Sequence, residues 1–344
     1  MFPSQSTLKK SFTPAEPKAF VAPSVVEKPS AKPFVAAAPI EINSAKYFYT
    51  CAVGGALACG LTHTFVTPLD LVKCRLQVDK TLYNGIFDGW KKIFKAEGIS
   101  GLFTGWGPTF IGYTLQGTCK YGFYDYFKYL YPTIVGEETA NKYRTLLYLS
   151  ASASAEVIAD VALCPLEATK IRMQTSTTPF ASSTLEALRK INAAEGLNGF
   201  YKGLTPLWLR QVPYTMVKFA TFEKTVEAIY KHCLSHPKEY YNKAQQLGVT
   251  FTAGYIAGIF CAIVSHPADT LVSKLNNVAK SEGESTGTLA VKILKDLGFK
   301  GVWAGLTPRI MMVGTLTALQ WFIYDTFKVM TGLPASGSAA PKKE

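Results

Sequence analysis

The chain has 344 residues, 48% of them hydrophobic and 17% charged, with a formal net charge of +12. The basic residues lie mostly between apolar segments and at their ends, which argues against nucleic acid and leaves a membrane surface or an anionic solute as partners. Seven cysteines stand singly (Cys51, Cys59, Cys74, Cys119, Cys164, Cys233, Cys261), with no CxxC pair and no histidine at ligand spacing. They indicate neither a disulfide framework nor a zinc site, so buried thiols are expected, with no metal and no cofactor.

Residues 1–45 hold seven of the nineteen prolines and three acids, a composition that predicts disorder. The segment lacks arginine and an apolar core, so it matches neither a transit peptide nor a secretory signal well. Residues 47–69 contain no charged side chain and exceed the roughly 20 residues that cross a bilayer core. This predicted transmembrane helix runs into Pro68-Leu69-Asp70-Leu71-Val72-Lys73-Cys74-Arg75. Around Asp88 to Glu97 the apolar spacing suits a short helix lying on a membrane surface. Glu97-Gly98 and Gly105 follow, then an apolar stretch at 107–124 ending in Tyr124-Asp125.

The same order then returns. An apolar stretch at 146–166 leads to Pro165-Leu166-Glu167-Ala168-Thr169-Lys170-Ile171-Arg172, a short segment at 184–195, Glu195-Gly196, Gly203, the stretch 205–222 and Phe222-Glu223. The charge-free run 244–268 leads to Pro267-Ala268-Asp269-Thr270-Leu271-Val272-Ser273-Lys274, a short segment at 288–296, Gly298, Gly305, the stretch 310–324 and Tyr324-Asp325. The prolines step by 97 and 102 residues, and the glycines and aromatic-acid pairs by 98 and 102. Such a register across three elements marks tandem repeats. The expected fold is an all-α membrane protein with six transmembrane helices in three helix–short helix–helix repeats. Their expected bounds are 46–140, 141–240 and 241–332, followed by a disordered tail at 333–344. Each motif proline is expected to kink its helix, because it removes a backbone donor and crowds the preceding turn.

An acid and a base three residues apart on a helix lie on neighbouring faces, so three such helix ends can interlock as a gate. Asp70, Glu167 and Asp269 are expected to pair with Lys73 and Lys170 of neighbouring repeats, with one link missing where Val272 replaces a base. At the other end Asp125 with Lys128 and Asp325 with Lys328 fit a second gate, while Glu223 has Val226 at the matching place.

The motif Pro-x-[Asp/Glu]-x-x-[Lys/Arg]-x-[Lys/Arg], met three times at this period over about residues 46–330, resembles the mitochondrial carrier family. The resemblance implies threefold pseudosymmetry around a central cavity and alternating access through a matrix gate and a cytoplasmic gate. It also implies a multi-pass place in the mitochondrial inner membrane, with both termini toward the intermembrane space. A monomer is expected, with the lipid bilayer as partner and cardiolipin at the repeat helix ends. In the family a glutamine braces the matrix gate. Gln77 and Gln174 stand at its place, with Asn276 in the third repeat.

Symmetric residues serve the gates, and asymmetric ones read the cargo. Seven residues past the repeat glycine stand Gly112, Arg210 and Met312; eleven past, Gln116, Tyr214 and Leu316; fifteen past, Lys120, Lys218 and Gln320. Three cations among these positions point to an anion. Arg210, at the family's contact position, is the first candidate, since a guanidinium fork donates two bonds to an oxyanion. His63 and Asp160 lie five residues before their motif prolines and Glu156 nine before, on one helical face. An imidazole and two carboxylates beside an anion site suggest proton coupling, or else the carboxylates neutralise the cations.

Thr62-His63-Thr64, Ser154-Ala155-Glu156 and Cys164-Pro165-Leu166-Glu167-Ala168-Thr169-Lys170 look like the phosphate-carrying branch of the family. That likeness implies import of inorganic phosphate with a proton, or in exchange for hydroxide, and no enzymatic reaction. A dicarboxylate or sulfate cargo, additional copper transport, and a soluble helical interaction protein are the competing readings.

Overall fold

Ser44 opens the first helix by accepting a hydrogen bond at Oγ from the backbone N–H of Tyr47 at 3.1 Å. The computed structural model describes residues 40–336, apart from 80, 177–179, 235, 237, 276–285 and 304–305. Side chains 77, 239, 272–275, 286–290 and 308 also lie outside the description, as do residues 1–39 of the segment expected to be disordered.

In chain order the helices are α1 (Ala45–Val78), α2 (Ile86–Leu102), α3 (Trp106–Val135), α4 (Glu137–Lys142), α5 (Arg144–Thr175), α6 (Thr184–Glu195), α7 (Asn198–Tyr201), α8 (Leu204–Ala228), α9 (Lys243–Leu275), α10 (Thr286–Val302) and α11 (Leu306–Met330). A π turn, Ile229–Cys233, extends α8, and a single 3-10 turn, Lys238–Tyr240, precedes α9. Pro68, Pro165 and Pro267 lie inside α1, α5 and α9, each of which continues beyond its proline. Gly98, Gly196 and Gly298 adopt φ of +70°, +62° and +60°. These positive-φ conformations, which side chains with a Cβ avoid, explain the glycines that break α2 and α10 from within and end α6.

Six long helices close a ring. α1 packs on α3, α3 on α5, α5 on α8, α8 on α9, α9 on α11, and α11 returns to α1. Where α1 crosses α3 the backbones nearly touch: a Cβ on Gly55 would lie 2.3 Å from the Gly117 carbonyl oxygen, and one on Gly117 would lie 2.1 Å from that of Gly55. In hydrocarbon the association of helices rests on such close packing rather than on release of water. The motif turn of α1 also holds α2, because Trp90 Nε1 donates to the Pro68 carbonyl at 2.9 Å and Ile93 packs on Leu71 and Val72.

Polarity is inverted relative to a water-soluble fold. Phe65 and Leu209 are 80% and 72% exposed, whereas Glu156, Asp160, Gln116, Lys120 and Lys218 are buried. An apolar exterior around a polar interior fits a bundle whose solvent is lipid. Among the described residues three helical segments are long and apolar enough to cross a membrane: Ala45–Leu76, Arg144–Thr175 and Lys243–Leu271. Of the tail expected to be disordered, residues 333–336 are placed against the bundle, with Leu333 and Ala335 buried.

Candidate functional site

The residues that break the repeat meet on the inner faces of α3, α5, α8 and α11. Lys120 on α3 forms an ion pair with Glu156 on α5, Nζ to Oε2 at 2.8 Å. Gln116, one turn earlier on α3, donates through Nε2 to both Glu156 Oε1 at 3.0 Å and Asp160 Oδ1 at 3.2 Å. Two carboxylates one turn apart on α5 thus share one amide, the ammonium of Lys120 goes to Glu156, and among the described residues the second oxygen of Asp160 has no hydrogen-bond donor. Both carboxylates are fully buried, where an unneutralised charge is costly.

A second chain of contacts crosses from α8 through α11 to α1. Lys218 donates to Gln320 Oε1, and Gln320 Nε2 donates to His63 Nε2 at 3.2 Å, which suits an imidazole protonated on Nδ1. The His63 ring stacks on Tyr113 with centroids 3.6 Å apart, and Lys170 Nζ sits 5.2 Å from the same tyrosine ring. Tyr214 OH lies 3.4 Å from Thr317 Oγ1. Arg210 forms no ion pair and no hydrogen bond with the described residues; of the carboxylates around it Glu167 acts most strongly, followed by Asp269 and Asp160. Lys218 likewise has no carboxylate in ion-pair range among the described residues.

Beyond this layer, α3, α8 and α11 contribute a cluster of six rings. Phe222 stacks on Trp321 at 3.5 Å, Tyr121 lies 4.4 Å from Tyr324, Tyr124 lies 4.2 Å from Phe219, and Tyr121 and Phe219 both meet Trp321 edge to face. The acid and base residues of the second motif lie next to these rings. Lys128 bridges from α3 to Glu223 on α8. Asp125 accepts from Tyr324 OH at 2.8 Å, while Lys328 lies 5.9 Å and 5.3 Å from the rings of Tyr47 and Tyr324. Asp325 accepts from Thr250 Oγ1 at 2.7 Å and from Ser336.

At the proline-motif end the charges do not form the ring expected from the repeats. Lys170 reaches Asp70 at 3.2 Å and the Glu167 of its own helix at 3.7 Å. Asp269 is not paired with Lys73. Instead it binds Arg309 on α11, whose other bond goes to Ser265 Oγ at 2.9 Å. The shorter route within one repeat wins over the span between repeats, and Lys73 makes no ion pair among the described residues. Among the described residues Gln174 braces no ion pair either. Its Nε2 donates to the Thr104 carbonyl at 3.2 Å, at the junction of α2 and α3. The side chains of Gln77 and Val272, and the whole of Asn276, lie outside the described residues.

Several contacts were not among the sequence expectations. Arg309 stands four residues past the repeat glycine, opposite Thr109 and Leu207 in the other repeats, so the counting that found Arg210 would have found it one turn earlier. In the first two motifs the second base serves the surface helix: Arg75 meets Glu97 at 3.3 Å, and Arg172 meets Glu195. Tyr113, Thr250 and Ser336 carry no repeat signature and required the tertiary structure. Among the described residues no group of three metal-ligating side chains converges.

The pattern for mitochondrial carrier proteins matches residues 44–134, 141–232 and 243–333. The chain is 54% identical over 299 residues to the probable mitochondrial phosphate carrier protein of Schizosaccharomyces pombe, covering 87% of this chain and 96% of that protein. It is 58% identical over 296 residues to the mitochondrial phosphate carrier protein of Caenorhabditis elegans, covering 86% and 84%. It is 56% identical over 294 residues to solute carrier family 25 member 3 of Homo sapiens, covering 86% and 79%. Three matched repeats in a ring of six long helices, with buried charges turned inward, make this chain a member of the mitochondrial carrier family.

Proposed function

We propose that the protein imports inorganic phosphate together with a proton, or equivalently against hydroxide, across the mitochondrial inner membrane. The observation that carries this reading is Arg210: a guanidinium without an ion-pair partner among the described residues, inside a bundle whose relatives are named phosphate carriers. Its fork suits a tetrahedral oxyanion. Lys218, hydrogen-bonded among the described residues to Gln320 alone, supplies a second positive charge, while Lys120 is occupied by Glu156.

Asp160 is the carboxylate best suited to carry the proton. Glu156 has an ammonium beside it; among the described residues Asp160 has only the shared amide and an oxygen without a donor. A proton on Asp160 removes a buried charge as phosphate arrives. His63, tied through Gln320 to Lys218, is placed to sense the same event.

Transport then proceeds by alternating access within six membrane crossings arranged with threefold pseudosymmetry. Asp70, Lys73, Glu167, Lys170 and Asp269 belong to the matrix gate. Asp125, Lys128, Glu223, Asp325 and Lys328 belong to the cytoplasmic gate. Both termini face the intermembrane space, and the working unit is a monomer with cardiolipin at the repeat helix ends. The buried rings beside the second gate favour closure on the cytoplasmic side in the state described here.

The test is uptake of labelled phosphate into liposomes containing the purified protein, with and without an acidic exterior, for the natural chain, Arg210→Ala and His63→Ala. Gradient-driven uptake that is lost in Arg210→Ala is expected. Faster exchange of malate or sulfate than of phosphate would replace the cargo assignment.

A further inference from the structure

The cytoplasmic gate has a gap that the structure fills from an unexpected place. Lys128 on α3 reaches the acid of α8, so the base of one repeat serves the acid of the next. By that rule the residue serving Asp325 on α11 stands at position 226 on α8, and it is a buried valine. Asp325 is nevertheless fully buried, and a carboxylate in that position requires donors.

The donors come from beyond the last helix. Ser336 donates from its backbone N–H at 3.0 Å to each oxygen of Asp325, and from Oγ at 2.7 Å to Oδ1. Thr250 Oγ1 on α9 adds a bond at 2.7 Å to Oδ2. The segment carrying Ser336 is itself anchored. Leu333 and Ala335 are 4% and 2% exposed, and Lys238, in the turn before α9, donates to the carbonyls of Ala335 at 2.7 Å and Ser336 at 3.0 Å. Among the described residues Asp325 has no base in ion-pair range.

We propose that Leu333–Ser336 is a working part of the cytoplasmic gate, with Ser336 supplying to Asp325 the bonds that a base at position 226 would otherwise supply. The arrangement rests on the alternating-access reading above. It makes opening of this gate depend on release of a neutral strap rather than on separation of an ion pair. Ser336 and Lys238 are positioning residues: they hold Asp325 and touch no cargo.

Cys51 provides a reporter, since it is fully buried on α1 in the same apolar cluster as Tyr47, Tyr121 and Tyr324. Cys164, buried on α5 near the opposite end, provides the control. Maleimide labelling at each cysteine would be followed by mass spectrometry in the full chain, in Ser336→Pro, in a chain ending at Leu333, and in that shortened chain with Val226→Lys. Ser336→Pro removes both the N–H and the hydroxyl. Labelling of Cys51 is expected to rise about tenfold in Ser336→Pro and in the shortened chain, the equivalent of one hydrogen-bonded charge. Cys164 should stay protected, and Val226→Lys should restore protection of Cys51. Unchanged Cys51 labelling, an equal rise at Cys164, or no restoration by Val226→Lys would overturn the proposal. The labelling needs no cargo, so a chain that moves no phosphate yet shows this pattern sinks the phosphate reading and leaves the strap intact.

Discussion

The two ends of the bundle are held together by different physics. At the aromatic end six rings from three helices pack against one another, with one ion pair between repeats among the described residues, Lys128 to Glu223, beside them. At the proline-motif end the contacts are charges: Lys170 with Asp70, and Arg309 with Asp269. Ring packing is short-ranged and indifferent to ionisation, so it seals but does not respond to a charged cargo. A charged closure responds strongly, because an arriving anion competes for the same cations. On the transport reading proposed above, the difference puts responsiveness to phosphate at the proline-motif end and mechanical closure at the aromatic end.

The largest effect is expected from Lys170→Ala. It leaves Asp70 and Glu167 without their ammonium, and breaking a largely buried pair from one side costs about 3–5 kcal/mol. Thermal unfolding in detergent should show this loss, and Lys170→Ala with Asp70→Ala should recover part of it. A double variant no more stable than the single one would remove the ion pair from the argument. Trp321→Ala comes next. It deletes the ring stacked on Phe222 and should lower stability by roughly 3 kcal/mol, chiefly through lost dispersion contacts. Its effect should be unchanged across moderate salt, whereas that of Lys170→Ala should not.

Arg309→Gln should be milder, since Asp269 and Arg309 are 18% and 21% exposed and water can replace part of the lost bond. Phosphate uptake is expected to fall by about tenfold, with Arg309→Lys recovering much of it. Equal loss in both variants would mean that guanidinium geometry matters more than charge. The smallest effect lies at the outer rim of the charged end. Lys190 and Ser182 beside the exposed Glu186 pull its carboxyl down to about 2 from an ordinary 4.5. A depressed value gives stability that is present above the ordinary value and is lost as pH falls through the depressed one. Glu186→Gln should therefore lower the thermal midpoint slightly at neutral pH, and the difference from the natural chain should shrink as pH falls from 4.5 toward 2. A constant difference across that range would assign the effect to the helix cap rather than to charge.

The same contrast separates what could be read directly from what could not. Register exposes symmetry, so the three proline motifs, the glycines with positive φ and the aromatic-acid pairs were legible, as were the helices built around them. Counting from the repeat glycine also brought Gln116, Lys120, Lys218 and Gln320 into view, and the structure joins these to Glu156, Asp160 and His63. Partner choice was less legible. Lys73 has the spacing of a gate base, yet Asp269 goes to Arg309, because the nearer cation on the adjoining helix needs no reach across the bundle.

By itself the sequence determined the repeat, the helices and the identity of the charges turned inward, because each depends on local composition and on spacing along one chain. The tertiary structure decided which charges meet. A pairing depends on distances between helices of a few ångströms, on Gly55 and Gly117 letting two backbones touch, and on Ser336, eleven residues past the acid it serves.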